Sequence, residues 1–263
     1  RTVRIWIPVP QNDSYQQTEI VRVVSPRRYG LSRKDRFGNR TIYFEQKWSG
    51  QKNPLELSVQ YRITRREQRG LSQSVKEKAD KISYYLEQRG LETGNGKIKQ
   101  IALYLTAGIK IPVEKARAIY RYVLKNMKYD KSGDGWGRGD AVYACDIGRG
   151  NCTDFHSLFI ALCRAAEIPA RFQMGIPMPE TESGEQSGSY HCWAEFHADG
   201  VGWVPVDISE AWKNPGKEEY FFGNLDINRI GLTTGREILL STLQQGPPLN
   251  YFSKPYVEID GQP

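Results

Sequence analysis

The segment 150–171, GNCTDFHSLFIALCRAAEIPAR, constrains the fold of this chain more than any other. Asn151 is suited to cap a helix, and Asp154 places a carboxylate near the positive end of its dipole. Between this cap and Pro169, which ends the predicted helix, apolar residues recur at three- and four-residue spacing. This spacing predicts a helix with one buried stripe. The stripe consists of Phe155, Leu158, Phe159, Leu162, Cys163 and Ala166.

Cys152 lies in the first turn of this predicted helix. Unpaired backbone N–H groups and the helix dipole favour a thiolate over a thiol at that position. Most free cysteines are buried and behave as small hydrophobic residues, and Cys163 fits that description. Cys152 differs because glycines precede it, because it follows a cap, and because a second segment supplies His and Asp. These features predict a nucleophile.

The second segment, YHCWAEFHADGVGWVPVDI (190–208), has the alternation of a β-hairpin with a turn around residues 198–200. If its loop has three residues centred on Asp199, His191 lies directly opposite Asp207. Opposed residues have Cβ atoms about 4.5–5.5 Å apart, near enough for a carboxylate to orient an imidazole. A two-residue turn would instead place the two side chains on opposite faces. The predicted pair therefore depends on the register of the hairpin.

Three stretches in this order, GNCTDFHSLFIALCRAAEIPAR, HCWAEFH and GWVPVDIS, resemble the catalytic core of the transglutaminase-like cysteine enzymes. The later stretches YFFGNLDINRIGLTTGREI and PLNYFSKPYVEIDG resemble bacterial members, so the similarity extends over about residues 70–260. The resemblance implies that Cys152 is the nucleophile, His191 the base and Asp207 the orienting acid. One departure is Glu167, where relatives commonly have glycine. A side chain there strains a left-handed turn at the helix end.

The fold class implied is α+β, with a papain-like, transglutaminase-like core behind an N-terminal all-β segment. In this core the helix that carries the cysteine packs on an antiparallel sheet that carries the histidine and the aspartate. We expect an N-terminal β-sheet or sandwich-like segment at 1–68 and the catalytic domain at 69–263. Four β-rich runs support the first segment, whose expected role is packing: VRIWIPVP, EIVRVVSP, RTIYFEQKW and LELSVQYRITRR. Helices are predicted from Ser72 or Ser74 to about Gly90, around 98–105, and from Pro112 to Met127.

The stretch 129–150, YDKSGDGWGRGDAVYACDIGRG, is predicted to be a loop because of its glycines. No Lys-Ser/Thr pair follows its glycines and no obvious strand directly precedes them, so a phosphate-binding loop is not expected. We expect it to form a wall of the substrate groove, with Trp136 offering an apolar surface or an indole N–H near the oxyanion. Asn151 and Trp193 are further candidates for the groove or the oxyanion site. The polar stretch 180–189 is either a lid or a passive surface insertion.

Composition excludes several functional classes. The 263 residues carry a net charge of +7 and are 39% hydrophobic, which is ordinary for a soluble protein. No run of 18 or more apolar residues predicts a membrane span. The basic residues are spread out without a recognition motif, so nucleic-acid binding is not expected. The absence of an initial Met and of an apolar signal segment predicts a trimmed mature chain or a recombinant fragment whose leader is absent, and the expected location is extracytoplasmic, periplasmic or secreted.

The four cysteines, at positions 145, 152, 163 and 192, form no CxxC pair and no zinc-ligand spacing. Cys145 and Cys192 could pair only if the fold brings them together. A metal site from Cys152, His156 and His191 lacks further ligands at short spacing, so neither a metal nor a cofactor is expected. We expect His156 to be a structural helix residue, and His197 to be half exposed on the His191 face.

The expected function is thiol-dependent acyl transfer or hydrolysis on peptide or protein amides, through a thioester on Cys152. Water as the acceptor gives a protease, an amidase or a deamidase, and a primary amine gives a transglutaminase. Hydrolysis is slightly favoured because it needs only water as the second substrate. The alternative is a catalytically silent transglutaminase-like module that binds peptides or the cell envelope. The expected partner is a peptide or protein substrate, which the net positive charge permits to be envelope-associated.

Overall fold

The computed structural model describes residues 1–48, 55–72, 82–178 and 189–263. Its contacts group into two compact units. The first consists of Arg1–Arg66, Met174–Tyr190 and Asn228–Pro263, and the second of Glu67–Gln173 and His191–Ile227. This grouping differs from the predicted boundary after residue 68, because two later segments belong to the first unit. That 1–68 and 69–263 are separate domains stays a prediction.

The strands are β1 Thr2–Val9, β2 Gln16–Val24, β3 Gly30–Leu31, β4 Arg40–Lys47, β5 Ser58–Arg65, β6 Gln68–Arg69, β7 Lys128–Tyr129, β8 Arg149–Gly150, β9 Ala170–Pro177, β10 His191–Ala198, β11 Gly202–Val206, β12 Asn224–Leu225, β13 Arg229–Thr234 and β14 Tyr256–Ile259. The α-helices are α1 Gly96–Thr106, α2 Pro112–Asn126, α3 Ala141–Ile147, α4 Cys152–Ala165 and α5 Ile208–Lys213. Short 3-10 turns lie at Gly70–Ser72, Tyr84–Leu86 and Gly90–Glu92.

The first unit contains all four strands predicted in residues 1–68, but they do not form one sheet. β1 pairs with β4 on one side and with the C-terminal β14 on the other, in the order β14-β1-β4-β3. β2 and β5 pair only with each other among the described strands. The core of the unit surrounds Trp6, which is fully buried and donates its indole N–H to Ser241 Oγ at 3.1 Å. Because Trp6 packs with Ile238, Leu240 and Phe252, residues near both ends of the chain share this core.

The second unit is centred on α4. Residues 152–163 are all buried, not only the predicted stripe. The reason is that α4 contacts β10 together with α1, α2, α3 and α5. Phe196 of β10 continues this core, because its ring packs against Phe159 at 6.4 Å and against Phe222 at 5.6 Å. The helix that carries Cys152 therefore has no solvent-facing side along its first three turns.

The chain before α4 follows the predicted pattern in part. α1 and α2 confirm two predicted helices, and Pro112 occupies the first turn of α2. The other predicted helix, from Ser72 or Ser74 to about Gly90, falls largely on residues 73–81, which lie outside the described residues. Its described end contains the 3-10 turns at Tyr84–Leu86 and Gly90–Glu92.

The prediction of a loop over 129–150 was wrong for its second half, which contains α3. Asp140 caps this helix by accepting hydrogen bonds from the backbone N–H groups of Val142 and Tyr143. Gly148 ends it with a left-handed φ of 67°. The flanking β7 and β8 form a short parallel pair that leads the chain into α4.

The end of α4 lies earlier than Pro169. The helix stops at Ala165, and Glu167 adopts a φ of 61°. This is the left-handed turn that the departure from glycine predicted to be strained. A left-handed residue with a side chain costs about 1–2 kcal/mol.

β10 and β11 confirm the predicted hairpin, but its register differs by two positions. Ala194 pairs with Val206 and Ala198 with Gly202, so the loop is centred on Gly200 and not on Asp199. His191 therefore does not lie directly opposite Asp207, which follows the end of β11. A shift of two positions preserves the face of each residue. The two side chains consequently remain on the same side of the hairpin.

Among the described residues, none of the helices combines the length and the hydropathy required to cross a membrane.

Candidate active site

Cys152 is the first residue of α4 and is only 2% exposed. The side chain of Asn151 accepts a hydrogen bond from the Thr153 backbone N–H at 2.9 Å. Asp154 completes a capping box, because its Oδ2 accepts from the Asn151 N–H at 2.9 Å. Two side chains thus hold the first turn, at the end of the helix that favours negative charge.

Asp154 also anchors the glycine-rich segment that precedes the helix. Its Oδ2 accepts from the Gly137 N–H at 2.7 Å, and its Oδ1 from the Gly139 N–H at 3.0 Å. A Cβ on Gly150 would lie 2.2 Å from Asp154 Oδ2, so glycine is required there. Trp136 lies next to this anchored stretch and is half-buried, with Lys131 Nζ 5.9 Å from its ring centre. Its role in a substrate groove stays a prediction.

His191 and Asp207 form a close buried pair. His191 Nε2 lies 2.6 Å from Asp207 Oδ2. Asp207 is fully buried and caps α5, because its Oδ1 accepts from the Glu210 backbone N–H at 3.0 Å and from the Ser209 hydroxyl at 3.1 Å. The helix cap and the histidine therefore share one carboxylate. With Nε2 bound to Asp207, Nδ1 is the ring nitrogen of His191 left for the hydrogen bond to the Cys152 side chain.

The electrostatics of the site favour a thiolate–imidazolium pair. Burial alone would lower the pKa of His191, but the Asp207 carboxylate, with Cys152, raises it to about 9. A hydrogen bond from the Cys192 side chain, opposed by burial and supported by His191, holds the pKa of Cys152 well below its ordinary value. Between these two pKa values the sulfur is negative and the imidazole positive. This is the ionisation state of an activated cysteine nucleophile.

His156 lies one turn after Cys152 and is fully buried. Its Nε2 accepts from the Ile208 backbone N–H at 3.0 Å, and burial lowers its pKa to about 4. It is therefore neutral near pH 7, with the proton on Nδ1, which hydrogen-bonds to the Cys152 backbone. His156 connects the start of α4 to the start of α5, which agrees with the expected structural role.

The remaining predicted residues are placed as follows. Trp193 is buried with its ring 6.2 Å from that of His191, so its place in a groove stays a prediction. Asn151 is occupied in capping the helix, and any role toward an oxyanion stays a prediction. The expectation that His197 is half exposed was wrong. It is buried because its ring packs edge-on against Trp203 at 5.3 Å. Most of the stretch 180–189 lies outside the described residues.

Sequence reasoning missed Cys192 as a member of the site. It follows His191 directly, and strand alternation turns its side chain toward α4. Its Sγ lies 3.9 Å from Thr153 Oγ1 and 3.7 Å from His156 Nδ1. The alternation of β10, read together with the helix that it covers, is the signal that could have found this residue.

All four cysteines, Cys145 and Cys192 included, are free thiols. In the part of the chain that the structure describes, no group of three or more His, Cys, Asp or Glu side chains is arranged to hold a metal ion.

Comparison with known proteins finds similarity over part or most of this chain. Residues 99–208 match the model of the transglutaminase-like superfamily. An uncharacterized protein of Haemophilus influenzae is 28% identical over 299 residues, which cover 98% of this chain and 81% of that protein. The uncharacterized protein YebA of Bacillus subtilis is 26% identical over 135 residues, which cover 46% of this chain and 18% of YebA.

Among solved structures, a "putative cysteine protease" from Cytophaga hutchinsonii superposes with a TM-score of 0.60 at 17% identity, over 98% of this chain and 80% of that one. At this identity the likeness concerns the fold alone. The fold class is accordingly α+β, with the cysteine helix packed on the antiparallel hairpin that carries His191. Residues 99–208 of this chain are thus similar to the transglutaminase-like superfamily.

Proposed function

We propose that this protein is a cysteine enzyme that transfers acyl groups from peptide or protein amides through a thioester on Cys152. The observation that carries the proposal is the 2.6 Å pair between His191 Nε2 and Asp207 Oδ2, with the Cys152 side chain hydrogen-bonded to the same imidazole. A nucleophile, a base and an orienting acid in this chain of contacts are the parts that acyl transfer by a thiol requires.

The chemistry follows from these contacts. The Cys152 thiolate attacks the carbonyl carbon of the amide, and the carbonyl oxygen becomes an oxyanion. The Cys152 backbone N–H, at the start of α4, is the first donor to that oxygen. The His191 imidazolium then gives its Nδ1 proton to the departing amine or ammonia, while Asp207 holds Nε2 and with it the tautomer. A thioester on Cys152 remains.

The acceptor of the acyl group decides the type of enzyme. We propose hydrolysis, which requires only water as the second substrate, so that the products are those of a protease, an amidase or a deamidase. Incubation of a peptide library with and without a primary amine, followed by mass spectrometry, tests this. Chain cleavage or loss of ammonia in both samples supports hydrolysis, whereas incorporation of the amine contradicts it and identifies a transglutaminase.

The test of the triad is covalent labelling of Cys152 by an activated acyl donor. His191→Ala should abolish acylation, and so should Cys152→Ala. Cys163→Ala is the matched control, because Cys163 is a fully buried cysteine on the same helix and should leave acylation intact. Slow alkylation of Cys152 by iodoacetamide near pH 6, at the rate of an ordinary thiol, would refute the thiolate and favour a catalytically silent binding module.

Two finer points are also proposals. Trp136 is proposed to border the substrate groove, and unchanged turnover in Trp136→Phe would exclude a role for its indole N–H. The location outside the cytoplasm is proposed from the sequence. Fractionation of cells that express the complete protein tests it, and recovery with the cytoplasmic fraction would contradict it.

A further inference from the structure

The mechanism above uses one of the two thiols that the structure brings together. Cys192 belongs to β10 and is fully buried, and its Sγ lies over the first turn of α4, 3.9 Å from Thr153 Oγ1 and 3.7 Å from His156 Nδ1. Cys152 begins that turn, and its side chain hydrogen-bonds to the Cys192 thiol. No step of acyl transfer requires a second sulfur there.

The exposures of the two sulfur-bearing residues differ in a useful way. Cys152 is 2% exposed, at the point where a substrate must reach it, whereas Cys192 has no exposed surface. A small oxidant that enters the site therefore meets Cys152 first. Because Cys192 is fully buried, an external thiol as large as glutathione is excluded from it. The Cys152 sulfur, in contrast, is hydrogen-bonded to Cys192.

We propose that Cys152 and Cys192 form a peroxide-responsive pair, in which Cys192 captures oxidised Cys152 as an intramolecular disulfide. The inference concerns regulation of the proposed active site. It rests on the proposed function only in taking Cys152 as the reactive thiol of this site.

The chemistry balances with hydrogen peroxide as the oxidant. The Cys152 thiolate attacks one peroxide oxygen, the O–O bond breaks, and the leaving hydroxide takes a proton from the His191 imidazolium to become water. Cys152 is thereby oxidised to a sulfenic acid. The Cys192 sulfur next attacks the Cys152 sulfur, the S–S bond forms, and the S–O bond breaks. The thiol proton of Cys192 leaves with the hydroxyl group as a second molecule of water.

The electrostatics set the order of these steps. Burial, together with the hydrogen bond to Cys152 and the charge of its thiolate, holds the pKa of Cys192 well above its ordinary value. Cys192 is therefore an unreactive thiol while Cys152 is reduced. A neutral sulfenic acid no longer carries the thiolate charge, so that opposition to ionisation of Cys192 is removed. Burial still opposes ionisation of Cys192, but oxidation of Cys152 removes the charge that adds to it.

The pair predicts reversible protection of the nucleophile. Once the disulfide has formed, Cys152 cannot be oxidised further to the sulfinic acid, which ordinary thiol reductants do not reverse. Dithiothreitol should restore the free thiolate. The site would then be silenced by peroxide and recovered by reduction.

The experiment uses the full chain, reduced and then treated with increasing hydrogen peroxide. Remaining thiols are alkylated, the protein is digested without reduction, and the peptides are identified by mass spectrometry. We expect a linked peptide pair containing Cys152 and Cys192, and full recovery of Cys152 alkylation after dithiothreitol. In Cys192→Ser, whose hydroxyl nearly preserves the size of the side chain, recovery should be lost and Cys152 should accumulate as the sulfinic acid. Cys163→Ala is the matched control and should behave as the unmodified chain.

Three outcomes would overturn the proposal. These are oxidation of Cys152 to the sulfinic acid without a linked pair, a disulfide that joins Cys152 to a different cysteine, and equal recovery in Cys192→Ser. None of these readouts requires turnover of an amide. A chain that forms the linked pair but cleaves no peptide supports this inference and contradicts the proposed function. A chain that cleaves peptides but forms no linked pair contradicts this inference and supports the proposed function.

Discussion

Replacing Asp207 by asparagine should remove the charge that keeps His191 protonated, while leaving the fold in place. Asparagine caps helices as well as aspartate does, so the hydrogen bond from the Glu210 N–H to this position can be kept. What is lost is the carboxylate, whose Oδ2 lies 2.6 Å from His191 Nε2. Burial, which by itself lowers the pKa of His191, is then opposed only by Cys152.

The magnitude follows from the pKa of His191, which is about 9 against an ordinary 6.5. This difference corresponds to about 3.4 kcal/mol, or on the order of 300-fold in the protonation equilibrium, at 1.36 kcal/mol for each pKa unit. Near pH 8 the imidazole of the unmodified protein is mostly protonated, and in D207N it should be mostly neutral. Without its cationic partner Cys152 returns toward an ordinary thiol with a pKa of about 8.5, so its reaction with iodoacetamide should fall by about fourfold near pH 8 and by up to about 300-fold near pH 6.

The assay is the rate of iodoacetamide alkylation between about pH 5 and pH 10, read on the peptide that contains Cys152. Cys145 serves as an internal reference, because it is partly exposed and burial raises its pKa. D199N is the matched control, since Asp199 is an exposed carboxylate in the turn of the same hairpin. It should leave the profile unchanged.

A D207N profile that keeps the rate of the unmodified protein through pH 8 would contradict this expectation. It would show that the charge of Asp207 does not set the protonation of His191. An equal change in D199N would attribute the effect to the overall charge of the hairpin.

Three further changes test the surroundings of the site. Burial lowers the pKa of His156 to about 4, so the folded protein binds fewer protons than the unfolded chain between about pH 6.5 and pH 4 and loses stability as the pH falls through that window. His156→Gln should remove up to about 3.4 kcal/mol of this loss of stability. Urea unfolding that shows an equal loss in both proteins between about pH 7 and pH 4.5 would contradict this expectation. Asp154→Asn should lower the free energy of unfolding, measured in urea, by about 1–3 kcal/mol, because the new amide NH₂ would face backbone N–H donors. Asp134→Asn, at an exposed position, should have no effect. Glu167→Gly should raise the free energy of unfolding by up to about 1 kcal/mol, because relief of the left-handed strain exceeds the added entropy of the unfolded chain, and Glu167→Ala should show no such gain.

The candidate site was predictable because its information is local. The cap, the apolar spacing and the cysteine of α4 lie within one short segment, and the alternation of β10 and β11 within another. The register was wrong by two positions because several of the residues 199–202 suit a turn, and the sequence does not choose among them. The error did not separate His191 from Asp207, since two positions restore the same face of a strand.

Other features could not be predicted because they depend on distant parts of the chain. β14 pairs with β1 from the opposite end of the sequence, and no local pattern in either strand names its partner. The burial of every side of α4 results from four helices and a strand that surround it, whereas its apolar spacing indicated only one stripe. α3 was missed although Asp140 and Gly148 are good capping residues, because the surrounding glycines dominated the prediction.

A helix enclosed on every side cannot fray or open without disturbing all of its neighbours. Amide hydrogens in the middle of α4, around Phe159, should therefore exchange with solvent only through global unfolding of the second unit. The rate of exchange there would report the free energy of unfolding of the second unit. Unfolding of this unit would also abolish the reactivity of Cys152. Destabilising changes elsewhere in this unit would then reduce activity by lowering the fraction of folded molecules, with the chemistry of each folded molecule unaltered.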